Sequence, residues 1–206
     1  MRRCQQALLA AAAALYALGA GGVALAADPL TQIFFSPMGE PFRATAANPF
    51  PSKQWFAIAD TNRDGVVSRE EFRADAMRFF KVLDVDGDGK ISDREMTYYE
   101  YKVAPEIVGA SVDTSDQSLK KPDENEDHPH HTGLADIRQG AAFFSWLNDA
   151  EPVRSADIDF NRKVTPDEWK AAADRKFSAL DPEGTGGIKL ADMPETPLQV
   201  QLRKKR

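Results

Sequence analysis

The sequence predicts an all-α protein of helix–loop–helix repeats, arranged as two closely spaced pairs with short β-bridges between loops. Three observations predict it. Acidic residues recur in four twelve-residue windows that begin at Asp60, Asp84, Asp157 and Asp181. The first Asp of one window precedes the first Asp of the next by 24 residues in both halves of the chain. An apolar frame repeats in register with the acids. Phe56, Phe80, Val153 and Phe177 lie four residues before a window, and Phe72, Met96, Trp169 and Met193 directly follow one. At helical spacing these are positions where incoming and outgoing helices bury apolar surface against one another. Two patterns repeating in register mark a folded unit, not a scatter of acidic loops.

The second window, Asp84 to Glu95, is the most complete. It places Asp84, Asp86, Asp88 and Glu95 at positions 1, 3, 5 and 12, Gly89 at 6 and Ile91 at 8. A Ca²⁺ ion takes six to eight hard oxygen ligands at about 2.3–2.6 Å. One short loop supplies them only if alternate side chains point inward and the backbone turns sharply at the sixth residue. Gly89 permits that turn because it has no Cβ to clash at positive φ. Lys90 would add its carbonyl, Ser92 a water-mediated contact, and Glu95 both carboxylate oxygens.

The other windows match to different degrees. Asp60, Asn62, Asp64, Val66, Ser68 and Glu71 form a complete set around Gly65, with Val67 at position 8. Asp157, Asp159, Asn161, Lys163, Thr165 and Glu168 form a third, with Val164 at position 8 and Arg162 where Gly belongs. A non-Gly residue in the left-handed region costs about 1–2 kcal/mol, which weakens that site without abolishing it. In the fourth, Glu183 is one methylene too long at position 3, and Thr185 replaces a carboxylate at 5. Lys189 puts a cation at 9, and Asp192 is short for bidentate closure. It is expected to be a structural loop without metal. The expectation is therefore two to three Ca²⁺ sites, with Mg²⁺ as a competitor.

The interval between windows carries topological information. Twelve residues, Phe72–Leu83 and Trp169–Leu180, separate successive loops. As a single helix such a connector is about 18 Å long, so one helix leaves the first loop and enters the second. Loops at opposite ends of a straight helix cannot easily share the β-bridge made at position 8. Either the helix bends, or the halves pair loop against loop across the molecule. The second arrangement is favoured, and makes Val67, Ile91, Val164 and Ile188 bridge between halves of one compact domain.

These loops resemble those of the EF-hand superfamily over Lys53 to Met193, apart from the linker. The Ser36-Pro37-Met38-Gly39-Glu40-Pro41-Phe42-Arg43 segment, the close loop pairs and the Gly140–Phe144 stretch resemble small exported proteobacterial EF-hand-domain proteins of unassigned function. The resemblance implies Ca²⁺ ligation at the matching positions and a helix–loop–helix fold. It implies no reaction and no particular partner.

The remainder divides into short segments. Arg2 and Arg3 precede an apolar run, Ala7 to Ala26, that ends in the small-x-small site Ala24-Leu25-Ala26. Residues 1–26 are therefore expected to be a signal peptide cleaved near Ala26. The competing reading is an uncleaved anchor, against which stand Gly19, Gly21, Gly22 and the good cleavage site. Cleavage would place the mature chain in the periplasm or outside the cell, with no stable membrane insertion. It would also remove Cys4, the only cysteine, leaving no disulfide and no thiol nucleophile. Loss of Arg2 and Arg3 leaves 24 basic against 32 acidic residues, a formal charge of −8. No basic stripe of the kind that binds nucleic acid is present.

Residues 27–52 carry Pro29, Pro37, Pro41, Pro49 and Pro51, a density that excludes a regular helix or central strand. They are expected to form an extended arm that packs its aromatics on the core; the alternative is a docking segment or lid. The halves 53–108 and 134–194 each hold two loops. Between them, residues 109–133 form an acidic linker with every histidine, His128, His130 and His131. Such a cluster could take a transition metal, but it lacks helical spacing and a solvated linker is favoured. Residues 195–206 are a basic tail.

The function expected is that of a calcium-binding, exported, non-enzymatic protein whose ions order the fold or are buffered by it. No nucleophile elbow or phosphate loop is visible. The alternative is a calcium-dependent interaction module or sensor, docking an unidentified envelope protein through the arm or an apolar groove.

Overall fold

The computed structural model describes residues 33–45, 49–109 and 138–204. The expected signal segment, the three histidines and most of the linker lie outside the described residues. Helix α1 (Pro51–Ala59) enters the first loop, α2 (Arg69–Leu83) joins the first loop to the second, and α3 (Asp93–Tyr98) leaves the second. A π-helical turn, Tyr99–Val103, and α4 (Glu106–Gly109) follow. In the second half, α5 (Pro166–Leu180) joins the third loop to the fourth, and α6 (Pro197–Lys204) forms most of the expected tail.

Each helix that leaves one of the first three loops starts for the same local reason. Ser68, Ser92 and Thr165 accept the backbone N–H of Glu71, Glu95 and Glu168, and those glutamates bind back to the cap N–H. This reciprocal capping box satisfies two donors that a helix start otherwise leaves orphaned. Each cap contributes about 1 kcal/mol. Proline at the first helical position adds to the start of α1 and α5.

The two connectors are single helices, as their length predicts, and they pack on each other. Trp169 lies against Phe79 and Phe80, Phe72 against Phe177, and Trp169 Nε1 donates to Ala76 O at 2.7 Å. Arg73 forms a bidentate pair with Asp174 at the edge of this contact. Side-by-side connectors bring the loops of opposite halves together. The first loop's strand β3 (Val67–Ser68) pairs with β6 (Gly187–Ile188) of the fourth, placing Val67 opposite Ile188. The second loop's β4 (Ile91–Ser92) pairs with β5 (Lys163–Val164) of the third, placing Ile91 opposite Val164. All four bridge residues are buried, so the halves form one core.

The proline-rich arm is a hairpin, β1 (Ile33–Phe35) with β2 (Pro41–Arg43), inserted into that core. Phe34, Phe35, Met38 and Phe42 are buried. Helices and loop bridges thus share the fold with this small sheet. Pro41 is tolerated because it opens a two-stranded, edge-only sheet. Gly39 sits at φ 94°, where a Cβ would lie 2.6 Å from Pro152 and 2.7 Å from the Tyr99 hydroxyl. That hydroxyl donates to Gly39 O at 2.6 Å. Arg78 of α2 pairs with both Glu40 of the hairpin and Asp75, and Asp75 accepts Trp55 Nε1 at 2.9 Å.

The second half departs from the expected helix–loop–helix pattern. The third loop is entered through two 3-10 turns, Gly140–Phe143 and Arg154–Ala156, with irregular chain between them. Gly140 turns at φ 54° and Ala141 N donates to Ala150 O at 3.0 Å, so this stretch closes a loop where a helix would otherwise continue. The fourth loop is left through a 3-10 turn, Leu190–Asp192, after which Met193 is extended. Lys189 cannot cap a helix as Ser or Thr does, and Pro194 follows at once.

Candidate metal centre

Four loops share one backbone plan. Positions 4 and 6 both take positive φ: Arg63 and Gly65, Gly87 and Gly89, Phe160 and Arg162, Gly184 and Gly186. Only the requirement at position 6 is legible from the motif; the second one, at position 4, was missed. It also changes the ranking of strain. Loops two and four meet it with glycine twice and loop one once, while loop three carries Phe160 at φ 57° and Arg162 at φ 65°. Phe160 is 87 % exposed, so no packing offsets its conformation.

The position-6 amide of every loop donates to the first aspartate. The distances are 3.0 Å for Gly65 to Asp60, 3.0 Å for Gly89 to Asp84, 2.8 Å for Arg162 to Asp157, and 2.8 Å for Gly186 to Asp181. This bond aims the remaining oxygen of the first aspartate into the loop. In the second loop that oxygen, Asp84 Oδ1, is buried with no hydrogen-bond partner. Asp84, Asp86 and Asp88 bring oxygens within 4.8 Å of one another.

The third loop converges differently. Asp157, Asp159 and Glu168 bring their oxygens within 4.8 Å of one another, and Glu168 Oε1 is buried and unpartnered. Its other oxygen accepts Thr165 N and Oγ1 at 2.9 and 2.7 Å. Asn161 turns its amide nitrogen to Asp159 at 2.8 Å, and its Oδ1 accepts Lys163 N. A buried, unpartnered carboxylate oxygen is costly in an apolar surround. A hard divalent cation is the partner that such crowded, acceptor-only oxygens fit, so the residues present suit the ion.

The first loop gathers its set more loosely. Glu71 Oε1 accepts Thr61 N, Thr61 Oγ1 and Asn62 N, and Oε2 accepts Ser68 N and Oγ. Ser68 first, then Asn62 and Thr61, hold the Glu71 carboxyl at about 2 against an ordinary 4.5. Burial pushes Glu95 up, but donors from Ser92, Asp86 and Val85 outweigh it and hold that carboxyl below the usual range. Asn62 Nδ2 donates to Asp64 Oδ2 at 2.9 Å. The backbone carbonyls of Val66, Lys90 and Lys163 occupy position 7 in their loops. In the fourth loop Thr185 folds onto Asp181, its hydroxyl donating at 2.9 Å, and among the described residues none closes the loop as the glutamates do elsewhere. Glu183 and Asp192 are exposed.

Two paired hands with acidic loops and capping-box glutamates define a helix–loop–helix metal-binding protein. The EF-hand family model matches residues 53–77 and 76–97, the first and second hands. The chain is 30% identical over 133 residues to "Probable calcium-binding protein CML34" of Arabidopsis thaliana, a match covering 58% of this chain and 94% of the plant protein. No solved structure matches. The chain belongs to the EF-hand superfamily.

Proposed function

We propose that this is an exported, non-enzymatic protein that binds calcium at its first three loops and uses the ions to stabilise its fold. The observation that carries the reading is the pair of orphaned oxygens, Asp84 Oδ1 and Glu168 Oε1, one in each of two bridged loops. The assigned ligands are Asp60, Asn62, Asp64, Val66 O and Glu71 in the first loop. They are Asp84, Asp86, Asp88, Lys90 O and Glu95 in the second, and Asp157, Asp159, Asn161, Lys163 O and Glu168 in the third. A bound Ca²⁺ supplies positive charge among carboxylates that otherwise repel. The protein's own part is to hold those oxygens in place through the position-6 amides and the capping boxes.

Extracellular modules bind with dissociation constants of about 10⁻⁴–10⁻³ M, suited to a compartment outside cytosolic calcium control. Export rests on the Arg2-Arg3 pair, the apolar run and the Ala24–Ala26 site. Calorimetric titration of the metal-stripped mature protein tests the function. Three Ca²⁺ sites, preference over Mg²⁺ and a raised melting temperature are expected. No heat at millimolar Ca²⁺ overturns the reading. An exported chain whose N-terminus is not near Ala27 overturns the processing.

A second reading, docking through an apolar groove, draws on a 440 Å³ cavity lined by Trp146, Pro194, Pro197, Val200, Arg138, Ser145 and Glu195. The arm is a poorer candidate, because its Phe34, Phe35 and Phe42 are already buried. Apolar dye fluorescence that rises with Ca²⁺ supports the groove, and an unchanged signal rejects it.

A further inference from the structure

We propose that Lys176 is the positioning residue of the third loop, replacing the entering helix that this hand lacks. The inference rests on the reading of that loop as a calcium site. In the other three hands an α-helical turn delivers the first aspartate. Asp60 N, Asp84 N and Asp181 N donate to the carbonyls of Phe56, Phe80 and Phe177, four residues back, at 2.8, 2.9 and 2.9 Å. Asp157 N donates instead to Arg154 O, three residues back, at 3.1 Å. Upstream of that tight turn, residues 144–153 contain no regular element. Ser155 N donates to Glu151 O at 2.8 Å and Ala156 N to Val153 O at 3.2 Å, so local order is confined to the last residues of the entering segment and the placement of the rest depends on tertiary bonds.

Lys176 supplies those bonds from α5, eight residues beyond Glu168. Its ammonium donates to Pro152 O at 3.0 Å and lies 2.9 Å from Asp149 Oδ2. Asp149 also accepts Ser155 Oγ at 2.6 Å and Glu151 N at 3.2 Å. The Lys176 side chain is only 10% exposed, and lysine is almost never buried so far unless paired. Two points of the entering segment, residues 149 and 152, thus converge on one charge, and Ser155 joins them through Asp149. That charge stands on α5, whose first turn carries Glu168, so the first and last ligands of the loop are tied through Lys176. Arg154 makes a second tie, to Glu100 and Asp93, but on the surface, where ion pairs contribute little.

The amides of Gly65, Gly89 and Arg162 each donate to the first aspartate of their own loop, so their NMR shifts report the loops separately. Calcium titration of ¹⁵N-labelled protein is compared for the wild type, K176M and D149L/K176M. The double variant removes both charges and so leaves no unpaired buried ion, which keeps the test decisive if K176M fails to fold. The Ca²⁺ concentration that moves the Arg162 amide is expected to rise by about 10-fold or more, the scale of outer-shell losses, with the Gly65 response unchanged. An equal rise at all three amides, as general destabilisation would give, overturns the proposal, and so does no rise at Arg162. A wild-type Arg162 amide that never responds overturns the calcium reading of this loop, and the tie with it.

Discussion

Loops one and two are each entered and left by helices, whereas loop three is entered through a 3-10 turn and loop four is left through one. The loop conformation itself barely differs: all four carry positive φ at positions 4 and 6 and the same bond from position 6 to the first aspartate. The ligand-holding loop is therefore separable from its flanking helices. Local chemistry decides each helix. A Ser or Thr at position 9 with Glu at position 12 starts one, and Lys189, Asp192 and Pro194 do not. What replaces the missing entry helix before the third loop is tertiary, the Lys176 tie.

The largest effect is expected at Glu95. Glu95→Gln removes a carboxylate from the second loop and should lower its calcium affinity by more than about 100-fold, beyond the 10–100-fold typical of outer-shell partners. Because Ile91 pairs with Val164, the third loop should weaken as well, and more than the first. Site-resolved titration checks this. Equal weakening of loops one and three contradicts coupling across the β4–β5 bridge.

Relief of strain is the next largest effect. Phe160→Gly and Arg162→Gly should each stabilise the calcium-free protein by about 1 kcal/mol, the left-handed penalty less the added freedom of the unfolded chain. Urea unfolding in chelator measures it. A loss of stability would mean that these side chains hold the loop by contacts.

Capping separates the fourth loop from the other three by about the same amount. Ser68→Ala should cost about 1 kcal/mol, while Lys189→Ala, at the equivalent position of the fourth loop, should cost little. Equal costs would remove the physical distinction between the hands. A further effect is in acid. Glu71 titrates at about 2 in the folded protein against an ordinary 4.5, so its contribution is complete above 4.5 and is lost as pH falls from there towards 2. Glu95 is shifted in the same direction. Melting of the calcium-free protein should therefore drop across that window, and Ser68→Ala should shrink the drop.

The loop positions and the cross-half pairing were legible because each depends on local spacing. A twelve-residue connector fits one helix, and one helix cannot return its loops to each other. The burial of Phe56, Phe80, Val153 and Phe177 followed from the same register. The capping box was legible too, as Ser-x-x-Glu or Thr-x-x-Glu, and its absence at Lys189 explains the missing exit helix. The strain at Phe160 was not, since position 4 tolerates many residues. Nor was the Lys176 tie, which joins residues far apart in sequence and depends on burying a charge that composition assigns to the surface. The hairpin was half legible. Prolines excluded a helix, but how the arm enters the core depends on tertiary contacts such as Tyr99 with Gly39 and Arg78 with Glu40.

A crystal structure of the protein grown with calcium, with anomalous differences collected at long wavelength, tests the central claim most directly. Anomalous peaks are predicted in the first three loops, beside Asp84 Oδ1 and Glu168 Oε1 in the second and third, with none in the loop that begins at Asp181. A peak in the fourth loop, or none in the second, would contradict the account.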